Sequence, residues 1–278
     1  FSAENTGSGN LDVNMLRRTI SPSGNVLATR VVNGGGDVNL TIDGTFPIVY
    51  GLSSGEAIYS ASGAFNVDHA EMLGATVTSV GSHFGGLSVV GGSNTLNTGA
   101  TSIDDLTLSS TLSPVTFGGA STVSIADQFA WYGGVISNAG GVTTNGSTSI
   151  LRLNPGTLAA VDAVLDTNWT NSATGIVQYD GNGGGNLSIN AGRTITNLGQ
   201  FHINPVGAAT GQIQGASATF VNQGLLAKDT ASTTQMDTLV VNNGGTLTAN
   251  GALDLAALNL SSGTLTGTGG ITASALNW

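Results

Sequence analysis

The last forty residues, Leu239–Trp278, decide the fold, and they read LVVNNGGTLTANGALDLAALNLSSGTLTGTGGITASALNW. Short runs such as Leu253-Asp254-Leu255 and Leu258-Asn259-Leu260 alternate apolar and polar residues, which places one face of each run inside and the other in water. Each run is too short to be stable as an isolated hairpin. We therefore expect similar runs to be stacked above and below each of them.

An earlier stretch repeats this pattern. Val89–Leu96 reads VVGGSNTL and resembles Val240–Leu247, which reads VVNNGGTL. The two copies run on to Trp131 and Trp278, so the repeat predicts equivalent places for these tryptophans. An internal repeat built from short strands is typical of a solenoid.

A corner motif also recurs, in which an apolar residue precedes Asn and then Gly. Both Asn and Gly tolerate the backbone conformations of tight corners. Asn197 and Asn222 are 25 residues apart, and Asn222 and Asn242 are 20 apart, which fits one turn of a parallel β-helix. We expect these three asparagines on one edge, with their amides hydrogen-bonded between coils. The motif occurs at 136–140, 195–199, 220–224 and 241–244.

The sequence thus predicts an all-β, right-handed parallel β-helix (β-solenoid) with almost no helix. Residues 1–88 are less regular and are expected to be irregular N-terminal coils or a cap, whereas 89–278 form the regular solenoid with the internal repeat. A β-sandwich also has short strands and is the alternative, but sandwiches do not normally repeat one corner motif. The residues expected to point inward are Leu253, Leu255, Leu258 and Leu260.

Composition narrows the classes of function. The chain has 16 acidic and 6 basic residues, a formal net charge of −10 and no cysteine. The scattered basic residues argue against a nucleic-acid partner or an anionic membrane surface, and no apolar run approaches the roughly 20 residues of a membrane span. Because the chain begins at Phe1 rather than Met, we expect it to be processed or cut from something longer.

Two motifs suggest chemistry but also have simpler explanations. Gly51–Gly55 fits the G-x-S-x-G nucleophile elbow, yet no helix pattern follows it, as that motif requires. Asp68, His69 and Glu71 resemble metal ligands, but zinc sites need three or four ligands at recognisable spacing, so a solvated turn is the preferred interpretation. The other two histidines, His83 and His202, stand alone in the sequence.

Four further groups of residues also have structural explanations. Asp180–Asn186 resembles a calcium loop, but it is a single copy in the wrong order, and a glycine-rich corner is preferred. Trp131, Trp169 and Trp278 could stack on sugars, although packing between coils is preferred. The acidic pairs Asp104-Asp105 and Asp162/Asp166 could be catalytic acids, but cleavage of a glycosidic bond needs two carboxylates that face each other across a groove. The rows Thr246-Leu247-Thr248 and Thr264-Leu265-Thr266 could form a flat binding face, although outward threonine is ordinary in strands.

Two segments carry a resemblance to a known family. Trp131–Asn138 (WYGGVISN) and Ser262–Ile271 (SGTLTGTGGI) resemble repeats of large bacterial surface β-helix proteins, the filamentous-haemagglutinin-like and autotransporter-like adhesins. The resemblance covers residues 89–278. It implies a β-helix without catalytic residues, and family members differ in what they bind.

Together these observations predict a non-catalytic structural or adhesive protein, secreted or on the bacterial cell surface, with a filament-forming subunit as one form of it. The alternative is a polysaccharide-cleaving enzyme on the same fold. No catalytic, cofactor-binding or metal-binding residue is assigned, and no cofactor is expected. The last segment, Ile271–Trp278, has no charge or proline to close the end. We therefore expect self-association end to end or continuation of a longer chain, and residues 1–20 are the candidate for a strand donated to a neighbour. Surface glycans are a second class of partner. Neither a nucleic-acid partner nor membrane insertion is expected.

Overall fold

A computed structural model of the protein describes residues 2–16, 30–43, 49–50, 57–110, 114–151, 162–180, 186–204 and 211–278. Within these ranges every regular element is a β-strand, and no helix is present. The first strands are β1 (Ser2–Asn5), β2 (Leu11–Leu16), β3 (Arg30–Asn33), β4 (Val38–Asp43), β5 (Val49–Tyr50), β6 (Ala57–Ala61), β7 (Ala64–Leu73), β8 (Ala75–Ser79), β9 (Gly81–Thr98), β10 (Ala100–Ser109), β11 (Val115–Gly119), β12 (Thr122–Tyr132), β13 (Gly134–Asn138), β14 (Val142–Thr144) and β15 (Ser147–Leu151).

The remaining strands are β16 (Ala163–Leu165), β17 (Trp169–Asn171), β18 (Ile176–Asp180), β19 (Asn186–Ile189), β20 (Thr194–Asn197), β21 (Gln200–Ile203), β22 (Gly211–Gln214), β23 (Thr219–Asn222), β24 (Leu225–Lys228), β25 (Thr234–Asn243), β26 (Thr246–Ala249), β27 (Leu253–Leu260), β28 (Thr264–Thr266) and β29 (Ile271–Asn277).

The strands stack in three parallel columns, one for each side of a roughly triangular coil. The first column is β1, β3, β6, β8, the end of β9, β11, β13, β16, β19, β22 and the starts of β25, β27 and β29. The second is β2, β4, the starts of β7, β9, β10 and β12, then β14, β17, β20, β23 and the ends of β25, β27 and β29. The third is β5, the end of β7, the middle of β9, the ends of β10 and β12, then β15, β18, β21, β24, β26 and β28.

This parallel stack confirms the predicted β-solenoid. The β-sandwich alternative is wrong, because its antiparallel pairs are absent from the described strands. β9 crosses residue 88 and pairs on both sides of it, and the proposed domain boundary there stays a prediction.

The core is one continuous column of inward side chains. Aromatic rings follow one another along it, with centroids 5.6 Å apart for Phe129 and Trp131, 6.4 Å for Trp131 and Trp169, and 6.1 Å for Trp169 and Phe201. Phe220 continues the row 5.1 Å from Phe201. Phe129 and Trp131 lie on one strand, and the other contacts join rings of different coils, so the stack stabilises the rod along its axis.

The inward leucines near the C-terminus follow the predicted alternation. Leu253, Leu255 and Leu258 are buried, which confirms their placement. Leu260 is only partly buried, although it packs against the core. It pairs with Asn243 and lies at the end of its strand, where the coil above covers it less.

The predicted equivalence of the two repeat copies is wrong. Val89 lies in the third column, whereas its counterpart Val240 lies in the second. Trp131 is fully buried in the third column, but Trp278 follows the last strand of the second column and is 95% exposed. The sides of the coil have similar strand-and-corner sequences, so one side of an early coil resembles a different side of a late one.

Candidate functional site: an amide ladder inside the rod

Four buried asparagines form a ladder at the corner between the second and third columns. Asn171 donates from its side-chain nitrogen to the side-chain oxygen of Asn197 at 2.7 Å. Asn197 donates in the same way to Asn222 at 2.8 Å, and Asn222 to Asn243 at 2.7 Å. Each bond joins one coil to the next, so the ladder ties four consecutive corners together.

The same amide nitrogens also satisfy backbone carbonyls of the following coil. Asn197 donates to the carbonyl of Leu225 at 2.9 Å, and Asn222 donates to that of Thr246 at 2.9 Å. Both asparagines are fully buried. Buried polar groups are costly unless they are paired, and here each amide pairs with a side chain and with the backbone. The ladder therefore fixes both the spacing and the register of neighbouring coils.

A stack of glycines lies beside the ladder. A Cβ on Gly199 would come within 2.2 Å of the carbonyl oxygen of Gly175, and one on Gly224 within 2.0 Å of the carbonyl oxygen of Gly199. Gly245 has the same relation to Gly224, at 2.2 Å. These glycines are required because the backbones of successive coils approach closely there.

The third predicted asparagine is one residue away from its predicted place. Asn243, and not Asn242, occupies the ladder, whereas Asn242 points outward and accepts a bond from Asn259 at 2.6 Å. The pairing of β25 shifts between Met236 and Val240. A shift by one residue reverses which side chains face the core, so the choice between adjacent asparagines depends on this irregular corner.

The fourth copy of the corner motif lies at a different corner. Asn138 ends a strand of the first column, where it pairs with Gly119. It is fully buried, and neither atom of its side-chain amide has a hydrogen-bond partner among the described residues. The motif therefore marks corners in general, and the four-member ladder lies at the corner between the second and third columns. At the corner between the first and second columns, Asn5 donates to Asn33 Oδ1 at 3.1 Å.

Lys228, the single lysine of the chain, is buried at an inward position between Ile203 and Ala249. Its Nζ donates to Thr230 Oγ1 at 2.6 Å, to the Thr230 carbonyl at 2.5 Å and to Ser232 Oγ at 3.4 Å. Burial lowers the pKa of Lys228, and the nearby Asp229 carboxylate partly offsets this. The ammonium thus holds the corner that follows β24.

The two histidines that look isolated in the sequence each contact an aspartate one coil further on. His83 Nε2 lies 3.3 Å from Asp104 Oδ1. His202 Nδ1 lies 2.6 Å from Asp229 Oδ2, and His202 Nε2 lies 3.1 Å from Gln200 Oε1. These pairs lie on the outside and join neighbouring coils.

The acidic candidates do not form an opposed pair. Asp162 accepts a bond from the backbone nitrogen of Asn186 at 2.8 Å, and Asp166 accepts one from Arg193 Nε at 3.1 Å. They flank the short strand β16, and each holds a different part of the following coil. Burial raises the pKa of Asp180 above its ordinary value. Residues 181–185 of the suggested calcium loop lie outside the described residues.

The remaining candidate site residues lie in different parts of the solenoid. Asp68, His69 and Glu71 lie in strand β7, so the expected solvated turn is wrong. In the described part of the chain, no three His, Cys, Asp or Glu side chains are placed to hold a metal ion. Trp131 and Trp169 are buried, which confirms coil packing for these two, but Trp278 is exposed. Gly51–Gly55 lies outside the described residues.

The threonine rows point outward as expected. In the third column Thr246 pairs with Thr264, and Thr248 pairs with Thr266. Thr264 and Thr266 are exposed.

Two features were missed from the sequence. Asn171 belongs to the ladder, although the glycine that follows it, Gly175, comes four residues later and not two. The spacing of 26 residues between Asn171 and Asn197, about one coil, could have identified it from the sequence. An outward row of asparagines, with 27-residue spacing near the N-terminus, was also missed.

No family model matches this chain, and no significantly similar curated protein or solved structure was found. The resemblance to adhesin repeats therefore rests on the sequence motifs alone. Among the described segments there is no helix of the length and apolarity that crossing a bilayer would require.

Proposed function

We propose that this chain is a non-catalytic structural or adhesive β-solenoid, a segment of rod on the outside of a bacterial cell or in a secreted protein. The ladder Asn171–Asn197–Asn222–Asn243 is the observation that supports a mechanical role most directly. It adds side-chain bonds between coils to the backbone bonds of the columns. Stacked amide ladders of this kind reinforce parallel strand assemblies against sliding.

The composition supports an external location. An acidic, cysteine-free exterior keeps a long rod soluble and prevents disulfide exchange during export. The adhesin-like motifs Trp131–Asn138 and Ser262–Ile271 favour the same location.

Pulling on the chain through its two ends tests the mechanical role. We expect coils to separate stepwise, and Asn222→Ala to lower the unfolding force of the coils around β23. Asn242→Ala removes an outward asparagine of the next coil, whose bond with Asn259 is open to water, so it is the matched control and should lower the force much less. Equal forces for both variants would contradict a load-carrying ladder.

An activity assay addresses the alternative of a polysaccharide-cleaving enzyme. The chain is incubated with a panel of neutral and acidic polysaccharides, and new reducing ends are measured. We expect no release above a heat-denatured sample. Release that disappears in Asp166→Asn or Asp180→Asn would overturn the non-catalytic proposal.

Adhesion is tested separately on an array of surface glycans. Binding that survives Trp278→Ala and is lost on unfolding would support an adhesive face along the rod. The absence of binding would leave the structural role as the proposal.

A further inference from the structure

The dipeptide Asn-Gly occurs five times in the chain, at 33–34, 145–146, 182–183, 243–244 and 250–251. Asparagine before glycine is the pair most prone to lose its side-chain amide, because glycine has no side chain to hinder attack by its nitrogen on the asparagine Cγ. The reaction needs an asparagine side chain that can rotate and a glycine nitrogen that is free of other bonds. The pair at 182–183 lies outside the described residues, and the other four differ sharply in these two respects.

Two of the pairs are locked inside hydrogen-bonded corners. Asn33 and Asn243 are buried, and the nitrogens of the glycines that follow them donate to backbone carbonyls of the preceding coil at 2.9 and 2.8 Å. The side-chain nitrogen of Asn33 donates to the Asp37 carbonyl at 2.7 Å, and the side-chain oxygen of Asn243 accepts from Asn222 at 2.7 Å. At either pair, attack by the glycine nitrogen must first break bonds that are shielded from water.

A third pair is held by its side chain. The side-chain nitrogen of Asn145 donates to Ser124 Oγ at 3.1 Å and to the Ile125 carbonyl at 3.4 Å. These bonds tie the amide to the neighbouring coil, so Asn145 must release them before its side chain can turn toward the next nitrogen.

The fourth pair has neither restraint. Asn250 is exposed at the bend between β26 and β27. Within the described part of the chain, neither its side-chain amide nor the nitrogen of Gly251 makes a hydrogen bond. Gly251 is covered by the preceding coil, but the amide that its nitrogen would attack is in water. An unpaired backbone N–H is uncommon in a folded chain, and here it directly follows a freely rotating asparagine side chain.

We propose that Asn250 is a site of deamidation, an irreversible modification whose only co-reactant is water. The Gly251 nitrogen bonds to the Asn250 Cγ, the Cγ–Nδ2 bond breaks, and the proton of the attacking nitrogen leaves with Nδ2 as ammonia. Water then opens the five-membered imide at one of its two carbonyls. One product is aspartate, and the other is isoaspartate, in which the main chain runs through Cβ and Cγ. The inference goes beyond the proposed structural role and does not depend on it.

The isoaspartate product should loosen the corner that Lys228 holds. A Cβ on Gly251 would lie 2.1 Å from the carbonyl oxygen of Thr230, so the two coils touch here through bare backbone. The same carbonyl accepts a hydrogen bond from Lys228 Nζ. Isoaspartate lengthens the main chain by one carbon directly before Gly251, so this close approach cannot be kept.

Peptide mass spectrometry of the folded chain, sampled during incubation at mildly alkaline pH, measures the reaction at each Asn-Gly pair separately. We expect Asn250 to deamidate about tenfold or more faster than Asn33 and Asn243, which must break buried hydrogen bonds first. We also expect it to react faster than Asn145. The same chain unfolded in urea is the matched control, where the advantage of Asn250 should fall below about threefold. Equal rates in the folded chain, or an advantage that persists unchanged in urea, would overturn the proposal.

A comparison of the two products tests the effect on the corner. The isoaspartate form of the aged chain is purified by ion exchange and compared with Asn250→Asp, which carries the same new charge on an ordinary main chain. We expect the isoaspartate form to unfold at a lower urea concentration. Equal midpoints would show that the longer main chain leaves the Lys228 corner intact, and would overturn the inferred loosening.

Discussion

Asn197 donates its side-chain amide to the side-chain oxygen of Asn222 at 2.8 Å, from one coil to the next, and both residues are fully buried. The bond therefore lies in the interior of the rod, where water does not compete for it. Hydrogen bonds in such an environment are costly to leave unmade. The stability of this part of the solenoid should depend on them.

Removing one member of the ladder should destabilise the rod. Asn222→Ala leaves the Asn243 side-chain oxygen without its ladder donor and Asn197 without its ladder acceptor. We expect a loss of about 1–3 kcal/mol, seen as a lower midpoint of urea unfolding. Asn242→Ala, which changes an outward asparagine, should cost less than about 1 kcal/mol. A larger effect at Asn242 would place the wrong residue in the ladder.

The glycine stack should not tolerate a methyl group. In Gly224→Ala the new Cβ would lie 2.0 Å from the carbonyl oxygen of Gly199. The coils must separate locally, so we expect a cost of about 1–3 kcal/mol. In the control Gly244→Ala the nearest atom is Ser261 Oγ at 3.3 Å, and the change should be small. Similar melting temperatures for the two variants would contradict the close approach of the backbones.

A charge in the stacked aliphatic core should be strongly destabilising. Leu258 is 1% exposed, so Leu258→Asp buries an unpaired carboxylate and should cost more than about 4 kcal/mol. Leu276 is its partner in the next coil but is 57% exposed. Leu276→Asp should therefore leave the thermal midpoint of dilute protein nearly unchanged. An unaltered midpoint for Leu258→Asp would show that its side chain does not point inward.

The carboxyl of Asp180 should make stability depend on pH. Burial raises the pKa of Asp180 above its ordinary value of 3.8. Between 3.8 and the raised value the folded chain binds more protons than the unfolded chain, so stability falls as pH rises through that window. We expect Asp180→Asn to be more stable than the unchanged chain at pH 7, with the gain lost below about pH 3.8. Asp127→Asn, at an exposed aspartate, controls for net charge, and an identical pH profile for both variants would exclude this role for Asp180.

Lys228 should show the opposite dependence in alkaline solution. Burial lowers the pKa of Lys228 below its ordinary value of 10.5. Between the lowered value and 10.5 the unfolded chain binds more protons, so stability rises with pH in that range. The free energy of unfolding should therefore rise with pH relative to Lys228→Met, which cannot titrate at this position. A pH-independent difference between the two proteins would contradict a desolvated ammonium.

The fold could be predicted because its signals are local. Alternation in runs such as Leu253-Asp254-Leu255 sets the inward face, and the spacing between Asn197 and Asn222 gives the length of a coil. Both signals depend only on nearby residues and on strand geometry.

The exact ladder and the repeat alignment could not be predicted in the same way. The choice between Asn242 and Asn243 depends on the shifted pairing of β25, which only the stacked structure determines. The partner of His202 depends on residues brought together by the coil, since Asp229 lies 27 residues from His202. The different fates of Trp131 and Trp278 show that sequence similarity between repeats does not specify the side of the coil.

Hydrogen exchange of asparagine side-chain amides, followed by NMR, tests the central claim most directly. The interior ladder predicts that the side-chain N–H groups of Asn171, Asn197 and Asn222 exchange as slowly as the backbone amides of the core. The amide of Asn277, whose bond to Asn259 is exposed to water, should exchange much faster and serves as the internal reference. Rapid exchange of Asn197 and Asn222, at the rate of Asn277, would contradict a buried amide ladder that locks the coils together.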